Sequence, residues 1–375
     1  MTAQVRSLIP QADPGLQYRR HRDAIDAAIG RVLTSGRYIL GPEVESFEHE
    51  FAAYCGARYA VGVANGTDAI QLALRALSVS AGDEVIVPAH TAVATVAAVE
   101  LTGALPVLVD IRPDTYTVDP VAVEAAVTPR TRAIVAVHLY GHPVDLAALS
   151  KVATRHSVSI VEDCAQAHGA QWQDRRVGSV GAFGCFSFYP TKNLAALGDG
   201  GAVVTNDGQL AEQVRLLRQY GWADRNMSAI AGGNSRLDEL QAAVLRVKLG
   251  VLEAETDERR RLAELLTAQL RTLVDTPVER SNCRHVYHLY VIASAARDDM
   301  RARLAERGIG TAVHYPFPIH LQRAYESRLG HKGQFPVAER CCERVLSLPL
   351  YPGLGREDVQ YVAEGVRSVA ASREK

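Results

Sequence analysis

The sequence predicts an α/β chain: a large unit on a mostly parallel sheet flanked by helices, then a smaller α+β C-terminal unit. Three observations predict it. From about residue 60, short apolar runs rich in β-formers alternate with helix-spaced patterns. Polar residues gather just past the ends of those runs, where open parallel sheets collect ligands. From Asp238 the alternation gives way to a long stretch with apolar residues at three- and four-residue steps.

Taken in order, Val61–Val63 reads as a short strand and DAIQLALRAL, from Asp68 to Leu77, as a helix. Glu84–Val87 reads as a strand, followed by an Ala/Val helix to Thr102; Leu105–Val109 reads as a strand that runs into Asp110. Ala133–Val137 is the next strand, Leu146–His156 a helix, and Ser159–Val161 a strand that ends in Glu162 and Asp163. Leu240, Val244, Val247 and Val251 continue into TDERRRLAELL, which predicts one long helix to about Leu270. Beyond it lie a strand-like YHLYVI, a helix at Met300–Arg307, a proline-rich HYPFPIH and a weaker terminal helix. The first forty residues lack a strong period and are expected to wrap around a partner or the small unit. This divides the chain into an N-terminal segment with the large domain, 1–245, and a linking helix with the small domain, 246–375.

A chain of 375 residues has ample length for a large core and a second unit. A formal charge of -1 gives no global field for nucleic acid or anionic membrane, so any anionic ligand needs a local site. The six cysteines form no CxxC pair, which points to a reducing compartment and buried thiols. The N-terminus lacks the apolar core of a signal peptide, and no window reaches membrane-span length. The expectation is a soluble cytoplasmic protein.

Lys192 stands out. It lies in SFYPTKNLAALGDGG, after a small and aromatic approach strand and before a glycine-rich return. Most lysines are surface residues, but one lined by apolar neighbours has a lowered pKa and becomes a nucleophilic amine. That meets the requirement for a Schiff base with pyridoxal 5'-phosphate (PLP). Asp163, by itself as readily a turn or cap residue, supplies a carboxylate at a strand end; a protonated pyridine nitrogen is the kind of cation such a group needs. VGVANGTDAIQLAL reads as strand, turn and helix, so the N–H groups of Gly66 and Thr67 would form an anion site at the helix start. Asn65 or Thr67 as a simple N-cap is the plainer alternative. Walker and GxGxxG patterns are missing from that turn. His90 and His138 are further strand-end candidates.

These three signals, in this order, resemble the DegT/StrS-type family of PLP-dependent nucleotide-sugar aminotransferases. The resemblance spans nearly the whole chain, through SGRYILGPEVESFEHEF, GDEVIVPAHTAVAT, VEDCAQAHGA, SFYPTKNLAALGDGGAVVT, GGNSRLDELQAA, VYHLY and HYPFPIHLQ. It implies the aspartate-aminotransferase-like fold (PLP fold type I) and transfer of an amino group from L-glutamate to a nucleotide-linked keto-sugar, dTDP- or UDP-linked, at C3 or C4. Pyridoxamine 5'-phosphate would be the form that stores the amine.

The resemblance also implies residue roles. Lys192 would hold PLP and shuttle the proton, Asp163 would pair with the pyridinium nitrogen, Gln166 would bond the ring hydroxyl and Ala165 would pack on one ring face. Gly66, Thr67 and Ser187 would hold the phosphate. Asn234 would reach the phosphate of a neighbouring subunit, which implies a homodimer with shared sites. His314, Tyr315 and His320 look substrate-side, with structural aromatics and core imidazoles as the equal alternative. No metal is implied. Family dehydratases carry histidine where Lys192 stands, so the lysine favours transamination over a sugar dehydratase; its presence with Asp163 also disfavours a non-catalytic regulatory relative. One position departs from the family pattern: Ala92 replaces the aromatic expected to stack on the ring. Three readings stand there: His90 covers the ring, His90 caps a helix or faces solvent, or the gap makes room for the sugar.

Overall fold

The computed structural model describes residues 8–371. The extreme N-terminal residues of the signal-peptide reading, 1–7, lie outside that range. The large unit is built on a seven-stranded sheet. Its strands run across in the order Tyr59–Val63, Gly201–Thr205, Phe183–Ser187, Ser159–Asp163, Thr131–Val137, Glu84–Pro88 and Leu105–Val109. Only Gly201–Thr205 runs against the rest. The central strands are buried on both faces, which is why they read as continuous apolar runs rather than alternating ones. Every strand and helix read between Val61 and Asp163 is present, with ends moved by a few residues; the helix Leu146–His156 starts on an Asp145 cap and ends at Ser157 in a left-handed conformation.

Two expectations are corrected, and a third is filled in. The predicted long helix is two, Glu239–Leu249 and Leu252–Leu270, separated where Gly250 interrupts the helix formers and Val251 stretches to φ -114, ψ -2. The first forty residues contain helices Pro14–Arg20 and Arg22–Ser35. The second buries only Ile25, Ala28 and Val32, a stripe too sparse to stand out; Ala28 and Val32 pack against Ala243 and its neighbours on Glu239–Leu249. In YHLYVI the strand begins only at Tyr290, because Tyr287 takes a left-handed backbone (φ 44) and turns the chain.

A second sheet, Tyr290–Ala293 with Val345–Leu348, is covered by helices Leu252–Leu270, Arg297–Glu306 and Arg356–Ala371 in a separate apolar core. Ile9 enters this core, and its N–H and C=O bond Gly308 and Gly310, so the N-terminal segment does clasp the small unit. The six cysteines are free thiols, all but Cys283 buried. No described helix is long and apolar enough to cross a membrane.

Candidate active site

Five strand ends and the Lys192 loop converge at the carboxyl edge of the sheet, around a cavity of about 500 Å³. Gly66, Thr67, Asp163, Ala165, Gln166, Ser187 and Lys192 all line it, with Ala92 and Thr95. Residues far apart in sequence meet there because parallel strands all end on the same side.

At one end lies the first turn of helix Gly66–Ala76. Asn65 is its cap, accepting from Asp68 N–H at 2.8 Å. The cap satisfies one of the free N–H groups of the first turn; the others keep the donors and dipole that favour an anion. Gly66 is demanded by contact: a β-carbon there would meet Ser187 Cβ at 2.5 Å. The helix start and the Ser187 strand end therefore close on each other as a cradle.

At the floor is Asp163, buried. Thr95 Oγ1 donates to its Oδ2 at 2.8 Å and Ala165 N–H to its Oδ1 at 3.1 Å. Neither donor carries a full charge, so the carboxylate is oriented and remains available to a cation from the cavity. Its neighbour Glu162 points the other way. Burial pushes the Glu162 carboxyl up, but hydrogen bonds from His138 and from Gly178 and Gly181 N–H hold it below its ordinary value. His138 accepts from Val144 N–H at Nδ1, so its proton sits on Nε2, toward Glu162. His138, Glu162 and Cys164 approach one another closely, yet the imidazole nitrogens and carboxylate oxygens are already spent on these bonds. His138 is thus a core residue and not part of the cavity.

Lys192 sits at the cavity wall. Burial lowers its ammonium to about 8, with Asp163 pulling weakly upward. A second, narrower cavity of about 80 Å³ reaches Lys192 from the side of His288 and His314. Burial and then Lys192 hold the His314 imidazole down at about 4. Tyr315 meets the main site through its hydroxyl, which accepts from Gln166 Nε2 at 3.0 Å. The same amide accepts from Tyr140 N–H at 2.8 Å, so both ends of Gln166 are fixed.

Three sequence candidates lie elsewhere. His90 is buried with Nδ1 at 3.2 Å from Cys342 Sγ and Nε2 at 2.7 Å from the Tyr140 hydroxyl. It neither covers the cavity nor caps a helix nor faces solvent, because the strand end turns its side chain into the seam between the two units. His320 is a core imidazole, buried against Phe335 and Glu339. Asn234 is exposed, bridges Gln219 through the backbone and does not line this cavity. Two residues that sequence reasoning missed matter here. Thr95, three residues after Ala92, belonged to a helix read only for its apolar character. Tyr140 follows a strand end by three residues and had no motif around it.

The profile of the DegT/DnrJ/EryC1/StrS aminotransferase family matches residues 20–367. A dTDP-3-amino-3,4,6-trideoxy-alpha-D-glucose transaminase from Streptomyces venezuelae is 50% identical over 364 residues, covering 96% of both chains. A protein of Geobacillus stearothermophilus named pleiotropic regulatory protein is 45% identical over 363 residues, covering 96% of this chain and 97% of that one. Among solved structures, S. venezuelae DesV in complex with a ketimine intermediate superposes with a TM-score of 0.96 at 49% identity, covering 97% of this chain and 99% of that one.

Proposed function

The chain belongs to the DegT/DnrJ/EryC1/StrS aminotransferase family, and on that premise we propose that it aminates C3 of a dTDP- or UDP-linked 3-keto deoxyhexose with L-glutamate as donor. Glutamate leaves as 2-oxoglutarate and the sugar's carbonyl becomes an amine. The observation that carries the reading is the placement of Lys192, Asp163 and the Gly66 helix start around one cavity.

PLP fits these residues on the chain's own terms: a cradle in which a single β-carbon would collide, a buried carboxylate oriented by neutral donors, and an amine lowered to about 8. When bound, PLP supplies the electron sink and carries the amine between donor and acceptor. Gly66, Thr67 and Ser187 would hold its phosphate, and Asp163 its ring nitrogen. Ala165 and Gln166 would flank the ring. Lys192, with its ammonium lowered to about 8, would accept and return the proton that moves between substrate carbon and cofactor. The family resemblance assigns Asn234 to the second site of a homodimer, which its exposure and its absence from the lining of its own cavity permit.

A dehydratase and a regulator are the rivals, the second because a relative carries a regulatory name. Lys192 argues against both. The test is a panel of nucleotide-linked 3-keto and 4-keto 6-deoxy sugars incubated with glutamate and read by mass spectrometry. A 3-amino sugar with one 2-oxoglutarate per amine is expected. Loss of water without amine transfer, or no turnover with any sugar, would overturn the reading.

A further inference from the structure

Tyr140 has no role in the function proposed above, yet three groups meet on it and a fourth stands behind one of them. Its backbone N–H donates to Gln166 Oε1 at 2.8 Å. Its hydroxyl donates to the carbonyl of His314. The same hydroxyl lies 2.7 Å from His90 Nε2, and His90 Nδ1 lies 3.2 Å from Cys342 Sγ on the small-unit helix Pro336–Arg344. Tyr140 itself is buried at a left-handed backbone position (φ 60) that a non-glycine residue seldom takes.

The direction of this chain is determined. A carbonyl only accepts, so the Tyr140 proton points to His314. The Tyr140 oxygen must then accept, so His90 carries its proton on Nε2. His90 Nδ1 is left as a lone pair, and only the Cys342 S–H can fill it. Burial holds His90 at about 4 and raises the Cys342 thiol, so both keep the neutral forms this order needs. Aligned bonds of this kind polarise one another.

The chain also closes a ring. Tyr140 N–H fixes the Gln166 carbonyl oxygen, which turns Gln166 Nε2 onto the Tyr315 hydroxyl at 3.0 Å. One residue therefore pins His314 by its carbonyl and Tyr315 by its hydroxyl. It leaves the His314 imidazole, whose Nδ1 lies 2.8 Å from Ser347 Oγ, on the Lys192 side, and the Tyr315 hydroxyl accepting from Gln166. We infer that Tyr140 is a positioning residue: through its hydroxyl, and with Cys342 and His90 behind it, it sets the His314–Tyr315 segment against Gln166 for the keto-sugar. The sugar part of this inference rests on the function proposed above; the positioning part does not.

The test uses Tyr140→Phe, with Tyr116→Phe as control. Tyr116 is a buried-side neighbour whose ring lies 5.6 Å from that of Tyr140 but which takes no part in the chain. Hydrogen exchange is followed in the cofactor-free protein at the amides of Ala312 and Ile319, which bond Ser347 and Ala89 and bracket the segment. Tyr140→Phe should speed exchange there about three- to tenfold, the factor that one ordinary hydrogen bond carries, and Tyr116→Phe should not. Cys342→Ala should speed it as well, with Cys342→Ser, which keeps a donor, restoring it. In the loaded enzyme Tyr140→Phe should raise KM for the keto-sugar more than KM for glutamate. Wild-type exchange in Tyr140→Phe, or equal acceleration by both tyrosine variants, overturns the inference. If Tyr140→Phe does not fold, the Cys342 pair decides: indistinguishable exchange in Cys342→Ala and Cys342→Ser overturns it. Accelerated exchange without any sugar turnover would leave the positioning intact and count against the function instead.

Discussion

The hydroxyl of Thr95 donates to Oδ2 of Asp163 across 2.8 Å, joining the first turn of a helix to the end of a strand 68 residues later. A second hydroxyl, Thr91 Oγ1, stands 3.1 Å behind Thr95. Asp163 is therefore held in orientation by a relay of two hydroxyls at the edge of the cavity.

Removing that bond should cost turnover. Thr95→Val keeps shape but leaves the carboxylate with one fixed oxygen, and kcat should fall about tenfold, as for a lost hydrogen bond to a charged group. Asp163→Ala should stay folded and lose far more activity, because the cofactor's ring nitrogen loses its charge partner. Equal turnover in wild type and Asp163→Ala would make Asp163 a turn residue only.

Lys192 should be the lysine that captures PLP. Borohydride reduction and peptide mapping should put the pyridoxyl mass on Lys192 and not on Lys248, although burial lowers both to about 8. The capture rate should rise about tenfold per pH unit below 8, as the amine loses its proton, and level off above.

The same shift is a stability statement. A lysine at about 8 in the folded state and 10.5 unfolded penalises folding in full below pH 8, and the penalty is relieved as pH rises from 8 to 10.5. Buried thiols, raised by desolvation, titrate with the opposite sign, so the readable quantity is a difference. Urea midpoints of cofactor-free wild type minus Lys192→Met should climb over that window. A flat difference would contradict the assigned shift.

Gly66→Ala should loosen the cradle. Its new β-carbon meets Ser187 Cβ, so about 1–3 kcal/mol of stability and most PLP retention should be lost. Ser187→Ala cannot relieve a clash with Cβ, whereas Ser187→Gly can. Equal rescue by both, measured by retained absorbance after gel filtration, would show that the clash is not the cause.

Ala92 lines the cavity, and Tyr189 is the aromatic on the same lining. With His90 turned away, room for the sugar is the reading left of the three. Ala92→Phe should spare PLP binding and raise KM for the keto-sugar; weaker PLP binding with unchanged KM would reverse this.

Subunit mixing tests the shared site. Lys192→Ala and Asn234→Ala chains, each inactive, should recover activity when combined if Asn234 serves the partner's cavity. No recovery after confirmed subunit exchange would place Asn234 elsewhere.

The sequence by itself determined the order of strands and helices from Val61 to Asp163 and the order Gly66, Asp163, Lys192. Local propensity and apolar periodicity act over a few residues, so short runs such as LPVLV and caps such as Asp145 carry their own meaning. Where the signal was local but thin, it failed: the stripe through Ala28 and Val32 became visible only against Ala243, and Gly250 broke a pattern whose apolar spacing ran straight through it. Which polar side chains face the cavity was decided by tertiary structure alone. His90, His138 and Asp163 all follow or end parallel strands, and nothing in their spacing separates them. Packing does: Cys342 and Tyr140 draw His90 into the seam, Glu162 holds His138 in the core, and only Asp163 is turned by Thr95 toward the open space. Those partners lie between 24 and 252 residues away, a separation over which no local pattern carries information.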